Sequence, residues 1–240
     1  MHPAPPPPQS LRLAAEADFP TLWAHFRILG FEWRQLGDAL SASGRSVPGI
    51  EARTPSDHRE RPKQKVASHQ ASESAVVLKL GDVAAAPALL RIHSQCLTGD
   101  VFGSLRCDCR QQLELALAAI AAAGAGLLIY EDKEGRGIGL MNKLRAYALQ
   151  DEGADTVEAN QRLGFGADQR DYRLPAAILN HLGARQVRLL SNNPDKVEAL
   201  ERAGIAVVER VPCAPDALSL HAQRYLEVKR DKLGHLLGPS

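Results

Sequence analysis

No single sign of charge dominates this chain: 29 Lys and Arg stand against 28 Asp and Glu, a formal net charge of +1. That balance removes the electrostatic case for nucleic acid or an anionic membrane as the main partner. Cysteine is scarce, at 4 in 240 residues, which is unlike a secreted disulfide scaffold. Long hydrophobic runs are missing too. The longest weakly polar stretch, Ala116 to Tyr130, is Ala/Gly-rich and falls short of the roughly 20 apolar residues that spanning a bilayer requires. The opening Met1-His-Pro-Ala-Pro-Pro-Pro-Pro-Gln9 has no apolar signal core and reads as a short polyproline II tail. A cytoplasmic protein is expected. Neither Gly-x-Gly-x-x-Gly nor a Walker A loop occurs, so both standard phosphate cradles are absent, and there is no internal repeat.

What cysteine there is lies together. Cys96-Leu-Thr-Gly-Asp-Val-Phe-Gly-Ser-Leu-Arg-Cys107-Asp-Cys109 holds three of the four within fourteen residues. Thiolates suit zinc: a Cys-x-Cys pair grips one ion from adjacent positions, and a loop of ten residues brings in a third sulfur. Three protein ligands leave a tetrahedral zinc one open position for water, which the metal acidifies towards neutrality. Other readings stay open on spacing alone. The trio can be redox-active, or part of a structural site completed by Cys213 or a histidine. Burial as small hydrophobes fits poorly, because Arg106, Asp108 and Arg110 bracket the Cys-x-Cys with charge.

The remaining organisation follows composition and periodicity. Residues 1–10 form the Pro-rich tail, and residues 11–34 carry a strand-rich opening (Phe19, Leu22, Trp23, Phe26, Ile28, Leu29, Phe31). Residues 35–74, rich in Ser, Gly, Pro and charge, bury little apolar surface and read as a mobile insertion. Residues 75–237 then alternate strands and helices. Strands are predicted at Ala75–Leu80, Leu127–Tyr130, Gln186–Leu190 and Ile205–Val211, and helices at Gln111–Ala123, Asn142–Gln150 and Leu174–Leu182. A further helix opens after Asn193, with Pro194 in its first turn. The expected fold is α/β (α+β): a mixed sheet flanked by helices in a single domain.

Three segments hint at phosphate. Glu134-Gly-Arg-Gly-Ile-Gly139 joins a strand to a helix, so its amides and Arg136 are available to an anion, though a plain turn explains the same pattern. Ser191 and Lys196 flank another helix start, where they read equally as a cap-region Ser and a surface Lys. Asp168 and Arg170 read from spacing alone as a salt-bridged turn.

Taken together, these segments carry a resemblance. Arg91-Ile-His-Ser-Gln-Cys96 through Cys109 closely resembles the zinc segment of GTP cyclohydrolase II. The likeness continues through Glu134-Gly-Arg-Gly-Ile-Gly-Leu140, Lys143 to Gln150, Asp155 to Asn160, Leu163 to Asp171, Arg188 to Pro194 and Lys229 to Leu237. The resemblance implies a zinc-dependent hydrolase of riboflavin biosynthesis that opens the guanine imidazole ring of GTP, releasing formate and pyrophosphate. It implies one zinc per chain on Cys96, Cys107 and Cys109, with magnesium accompanying the triphosphate. Tyr147 would orient or protonate the opening ring, Arg170 would be the nucleophile at the α-phosphate, and Asp168 the base beside it. A guanidinium is a poor nucleophile, so chemistry favours electrostatic stabilisation for Arg170. Arg91, Ile92, His93, Ser94, Gln95, Gln112, Glu134, Gly135, Arg136, Thr156, Ser191 and Lys196 match the family's GTP-holding positions. A homodimer is implied by the family only.

Four positions depart from the family pattern: Gln95 in place of Glu, Lys133 in place of Gln, Arg110 in place of Gly, and Ala24 in place of Gly. A divergent member is therefore expected, and its alternative function is to bind GTP without full turnover or to stop at the formylamino intermediate. A purine deaminase is the weaker rival, since its signature, His-x-Glu followed by Pro-Cys-x-x-Cys, is absent: no Pro-Cys-x-x-Cys occurs.

Overall fold

The computed structural model describes residues 9–35, 73–166 and 170–215. Residues 1–8 of the Pro-rich tail, the bulk of the expected insertion, Asp168 and the segment Lys229 to Leu237 lie outside the described residues. Seven strands build one sheet: β1 (Gln9–Pro20), β2 (His25–Gln35), β3 (Glu73–Leu80), β4 (Ala88–Ser94), β5 (Gly126–Glu131), β6 (Gln186–Leu190) and β7 (Ala206–Val211). Their spatial order is β1-β2-β3-β5-β4-β6-β7. Pairing is antiparallel from β1 to β5 and parallel among β5, β4, β6 and β7. Among the described residues five helices accompany it: α1 (Cys109–Ala123), α2 (Leu140–Asp151), α3 (Thr156–Arg162), α4 (Arg173–His181) and α5 (Pro194–Arg202). The sheet is mixed and flanked by helices, as the residue pattern predicts.

Both faces of the parallel half are covered, which is why its strands read as apolar runs rather than alternating ones. Leu90, Ile92, Leu127 and Ile129 meet Leu174, Ile178 and Leu179 of α4 and Leu200 of α5. On the opposite face, Leu89 and Leu128 meet Ala116, Leu117 and Ile120 of α1. This alternation makes the chain doubly wound: α1 connects β4 to β5 on one face, while α4 and α5 lie on the other. Beyond the carboxyl end of β4 the connections diverge to opposite sides, leaving a crevice where such sheets hold ligands. The segments after β4, β5 and β6 open into it.

Local signals explain the helix ends. Gly124, at φ 72°, closes α1 in the left-handed region that glycine favours. The Asn193 side chain accepts from the Asp195 N–H, with Pro194 at the first helical position. Asp155 accepts from the N–H groups of Val157 and Glu158 to start α3. Strand β4 and helix α3 are additions to the elements predicted from periodicity, and α1 begins at Cys109 itself rather than at Gln111.

Candidate active site

After β4 the chain makes one wide π-type turn over Leu97–Val101 and returns to α1 through Cys107. The turn folds Cys96 back onto the other two thiols. The Cys96 and Cys107 sulfurs stand 3.6 Å apart, all three sulfurs lie within 4.8 Å of one another, and every cysteine is free. Two thiolates on one tetrahedral zinc at about 2.3 Å would be about 3.8 Å apart, so the donor set fits that ion. Gly99 sits inside the turn because a Cβ there would lie 2.9 Å from the Cys107 sulfur and 3.0 Å from that of Cys96. Cys213 stands apart: it is buried, with its thiol 3.8 Å from the Gln112 carbonyl. The alternative in which it completes a structural site therefore loses its geometric basis.

Buried charge fixes the turn. The Asp100 carboxylate accepts from the Cys96 N–H (3.0 Å) and the Tyr130 hydroxyl (2.8 Å), and His93 Nε2 lies 3.2 Å from both its oxygens. A carboxylate only accepts, so Nε2 carries the proton. Burial lowers the His93 pKa and keeps the ring neutral, stacked on Tyr130 at 5.4 Å. Glu134 ties the Gly-rich loop to the same turn: it accepts from the Leu97 N–H and from the Lys143 ammonium, each at 2.7 Å. Lys143 Nζ also lies 3.1 Å from the Cys96 sulfur. Hydrogen bonds from Cys107 and Cys109, with Lys143 beside them, hold Cys96 far below the usual thiol range. Cys109 is pushed well above it by the neighbouring Cys107 and Cys96 and by burial. A bound dication would draw the protons off all three thiols.

Two cavities meet at this trio. The larger is a cleft open to solvent, with a cavity volume of about 110 Å³. It is cationic, lined by Arg91, Lys133, Arg136, Lys143, Arg170 and Lys196. Arg136 is held at φ 62°, the one non-glycine residue with positive φ among the described residues, an unfavourable conformation of the kind stored at ligand sites. Lys196 is buried and donates to the Ile92 carbonyl at 2.7 Å, so it is not a surface lysine. Arg170 donates to the Ser94 hydroxyl at 3.3 Å. The second cavity lies across the thiols and is lined by Ile138, Tyr147, Gln150, Thr156 and Asn160. Burial raises the Tyr147 pKa and keeps the phenol protonated; its hydroxyl is 3.2 Å from that of Thr98. Cys96, Cys109, Gly135, Arg136 and Lys143 border both spaces.

A family model described as GTP cyclohydrolase II matches residues 51–212. This chain belongs to the GTP cyclohydrolase II family. It is 62% identical over 164 residues to the GTP cyclohydrolase-2 of Azotobacter vinelandii, covering 68% of this chain and 78% of that one. Identity to the Pseudomonas aeruginosa GTP cyclohydrolase-2 is 61% over 164 residues, covering 68% and 80%. A solved two domain 3,4-dihydroxy-2-butanone 4-phosphate synthase from A. baumannii aligns at a TM-score of 0.40 and 13% identity, over 86% of this chain and 40% of that one, too slight a likeness to argue from.

Identity at that level gives no sign of a divergent GTP cyclohydrolase II. The four departures are accommodated locally. Lys133 pairs with Glu131 at 3.1 Å and Glu73 at 3.3 Å. Arg110 is exposed and bonded to Glu114 one turn along α1. Ala24 is half-buried against the α1-side core, and Gln95 lines the cleft. Of the positions expected to hold GTP, Arg91, His93, Ser94, Gln95, Gln112, Glu134, Gly135, Arg136, Ser191 and Lys196 line the cationic cleft. Thr156 lines the second cavity. The Ile92 side chain lies in the core, and only its carbonyl reaches the site, through Lys196. Sequence reasoning passed over Asp100, Tyr130, Asp108 and Lys143. Asp108 does have a readable signal, a carboxylate between two cysteines; in the structure it accepts from Gln112, which in turn accepts from Arg91.

Proposed function

We propose that the protein hydrolyses GTP, opening the guanine imidazole ring and releasing formate and pyrophosphate. The product would be 2,5-diamino-6-(5-phosphoribosylamino)pyrimidin-4(3H)-one, the first intermediate of riboflavin biosynthesis. The observation that carries this reading is the trio of thiols standing between two cavities of different character. Arg91, Arg136, Arg170 and Lys196 in the first suit a triphosphate, to which guanidinium forks bind in bidentate fashion. The second, with Ile138 beside Tyr147 and the Asn160 amide, suits a flat purine with polar edges. A nucleotide spanning both brings its imidazole ring to the thiols.

Cys96, Cys107 and Cys109 would hold one zinc per chain, which would supply a Lewis acid able to acidify water for the ring-opening and deformylation hydrolyses. Tyr147, kept protonated by burial, orients the opening ring and gives it a proton. Arg170 and Asp168 act at the α-phosphate, where the guanidinium stabilises developing charge rather than attacking. Glu134 serves chiefly to lock Leu97 and Lys143 in place. Magnesium enters with the triphosphate as part of the substrate. Residues 11–34 and 75–237 act as one catalytic domain, in a cytoplasmic homodimer as the family resemblance implies.

Incubating the zinc-loaded protein with GTP should release formate and pyrophosphate in equal amounts and produce the diaminopyrimidine. Binding of GTP without either release, or pyrophosphate release from an intact ring, would overturn the reading. A formylamino product would show that the reaction stops after ring opening.

A further inference from the structure

Lys143 occupies the first turn of α2, and its side chain is 13% exposed. Its ammonium touches two groups that come from opposite sides of the site. One is Glu134 Oε1 at 2.7 Å, in the loop after β5, and the other is the Cys96 sulfur at 3.1 Å, in the turn after β4. A lysine that only braced the loop would need the carboxylate alone. Contact with the sulfur puts a full positive charge against one member of the trio. Three thiolates on a dication leave one surplus negative charge, and Lys143 is a cation in hydrogen-bond contact with one of the three sulfurs.

We propose that Lys143 is a positioning residue of the metal centre: its ammonium donates to the Cys96 thiolate and offsets the charge that the trio imposes on the ion. This rests on the proposed zinc site. Two effects follow. Mutual repulsion among the thiolates falls, so the trio binds a dication more tightly. The Cys96 sulfur also gives less electron density to the ion, which leaves the centre a stronger Lewis acid. Groups that orient or polarise metal ligands typically change affinity by about 10–100-fold when removed.

The test is zinc affinity, read by competition with a chelator of known affinity and without any turnover. Lys143→Gln should bind zinc about 10–100-fold more weakly than wild type, and Lys143→Arg, which keeps the charge, should recover most of the loss. In cobalt-loaded protein, the thiolate-to-cobalt charge-transfer band of Lys143→Gln should move to lower energy, because the sulfur loses its charge-assisted bond to an ammonium. A merely structural lysine would alter the melting temperature and leave that band in place. Wild-type zinc affinity with an unshifted band in Lys143→Gln overturns the proposal. So does an Arg variant that falls as far as the Gln variant; if Lys143→Gln does not fold, Lys143→Met takes its place in the comparison. Zinc binding and formate release by wild type, beside a negative result for Lys143, refute this inference alone. Failure of the wild type to bind zinc refutes the reading beneath it.

Discussion

Gly99→Ala adds a single methyl group at the centre of the cysteine turn. A Cβ at that position lies 2.9 Å from the Cys107 sulfur, 3.0 Å from the Cys96 sulfur and 3.1 Å from the Cys109 Cβ. Ordinary contact between such atoms begins at about 3.5 Å, so at least one sulfur must retreat by roughly 0.5 Å. Neither sulfur is the end of a long flexible chain, since each is one bond beyond its own Cβ. Metal–ligand distances hold to about 0.2 Å, less than half the required displacement. Overpacking of this kind costs about 1–3 kcal/mol. Falling on the metal-bound form alone, it weakens zinc binding by roughly 5–150-fold. Without metal the thiols are free to turn aside, and neighbouring Val101 and Phe102 are exposed, so the metal-free protein should melt almost as wild type does. Chelator competition and a thermal melt of the stripped protein measure the two quantities. Wild-type zinc affinity in Gly99→Ala would refute the claim that this turn is packed around a metal.

Asp100→Asn keeps the size of the side chain but presents an amide to three donors, from Cys96, Tyr130 and His93; it should destabilise the fold by about 1–3 kcal/mol, read by denaturant unfolding. No change in unfolding midpoint would show that the buried carboxylate is dispensable. Cys109→Ser should abolish formate release while leaving pyrophosphate release measurable, and loss of both from a folded, GTP-binding variant would show that the two steps are not separable. Arg170→Ala should lower turnover about 10²–10³-fold with zinc content and melting unchanged, and Arg170→Lys should recover little because Lys lacks the planar fork. Near-normal turnover in Arg170→Ala would remove that arginine from the mechanism.

The cysteine trio was legible because its ligands are neighbours in sequence and their chemistry is narrow. The same holds for α5, whose Asn193 and Pro194 announce its start. Strand β4 escaped periodicity because Arg91 and His93 are buried in it, where an apolar-polar alternation would place them in solvent. Helix α3 is seven residues long, too short to show a helical period, although Asp155 and Glu158 carry a readable start signal. Lys143 and Asp100 were invisible for another reason. Each looks like a surface charge until packing brings it to partners such as Cys96, 47 residues from Lys143, or Tyr130, 30 residues from Asp100. Lys196 misled in the same way, since burial under Tyr172 and against the Ile92 carbonyl depends on how β6 docks.

That docking bears on the order in which the molecule can assemble. Cys96, Cys107 and Cys109 close a short local loop, whereas Arg91 meets the Leu190 carbonyl across 99 residues and Lys196 meets Ile92 across 104. Contacts between distant segments form slowly, because a long stretch of chain must surrender its freedom before they repay it. If the trio binds zinc as proposed, a nascent or partly refolded chain can therefore capture the metal well before β6 settles beside β4 and the cleft exists. Zinc content then reports only that the first half of the sheet and its turn have formed, and a preparation fully loaded with metal can still contain molecules with nowhere to put a nucleotide.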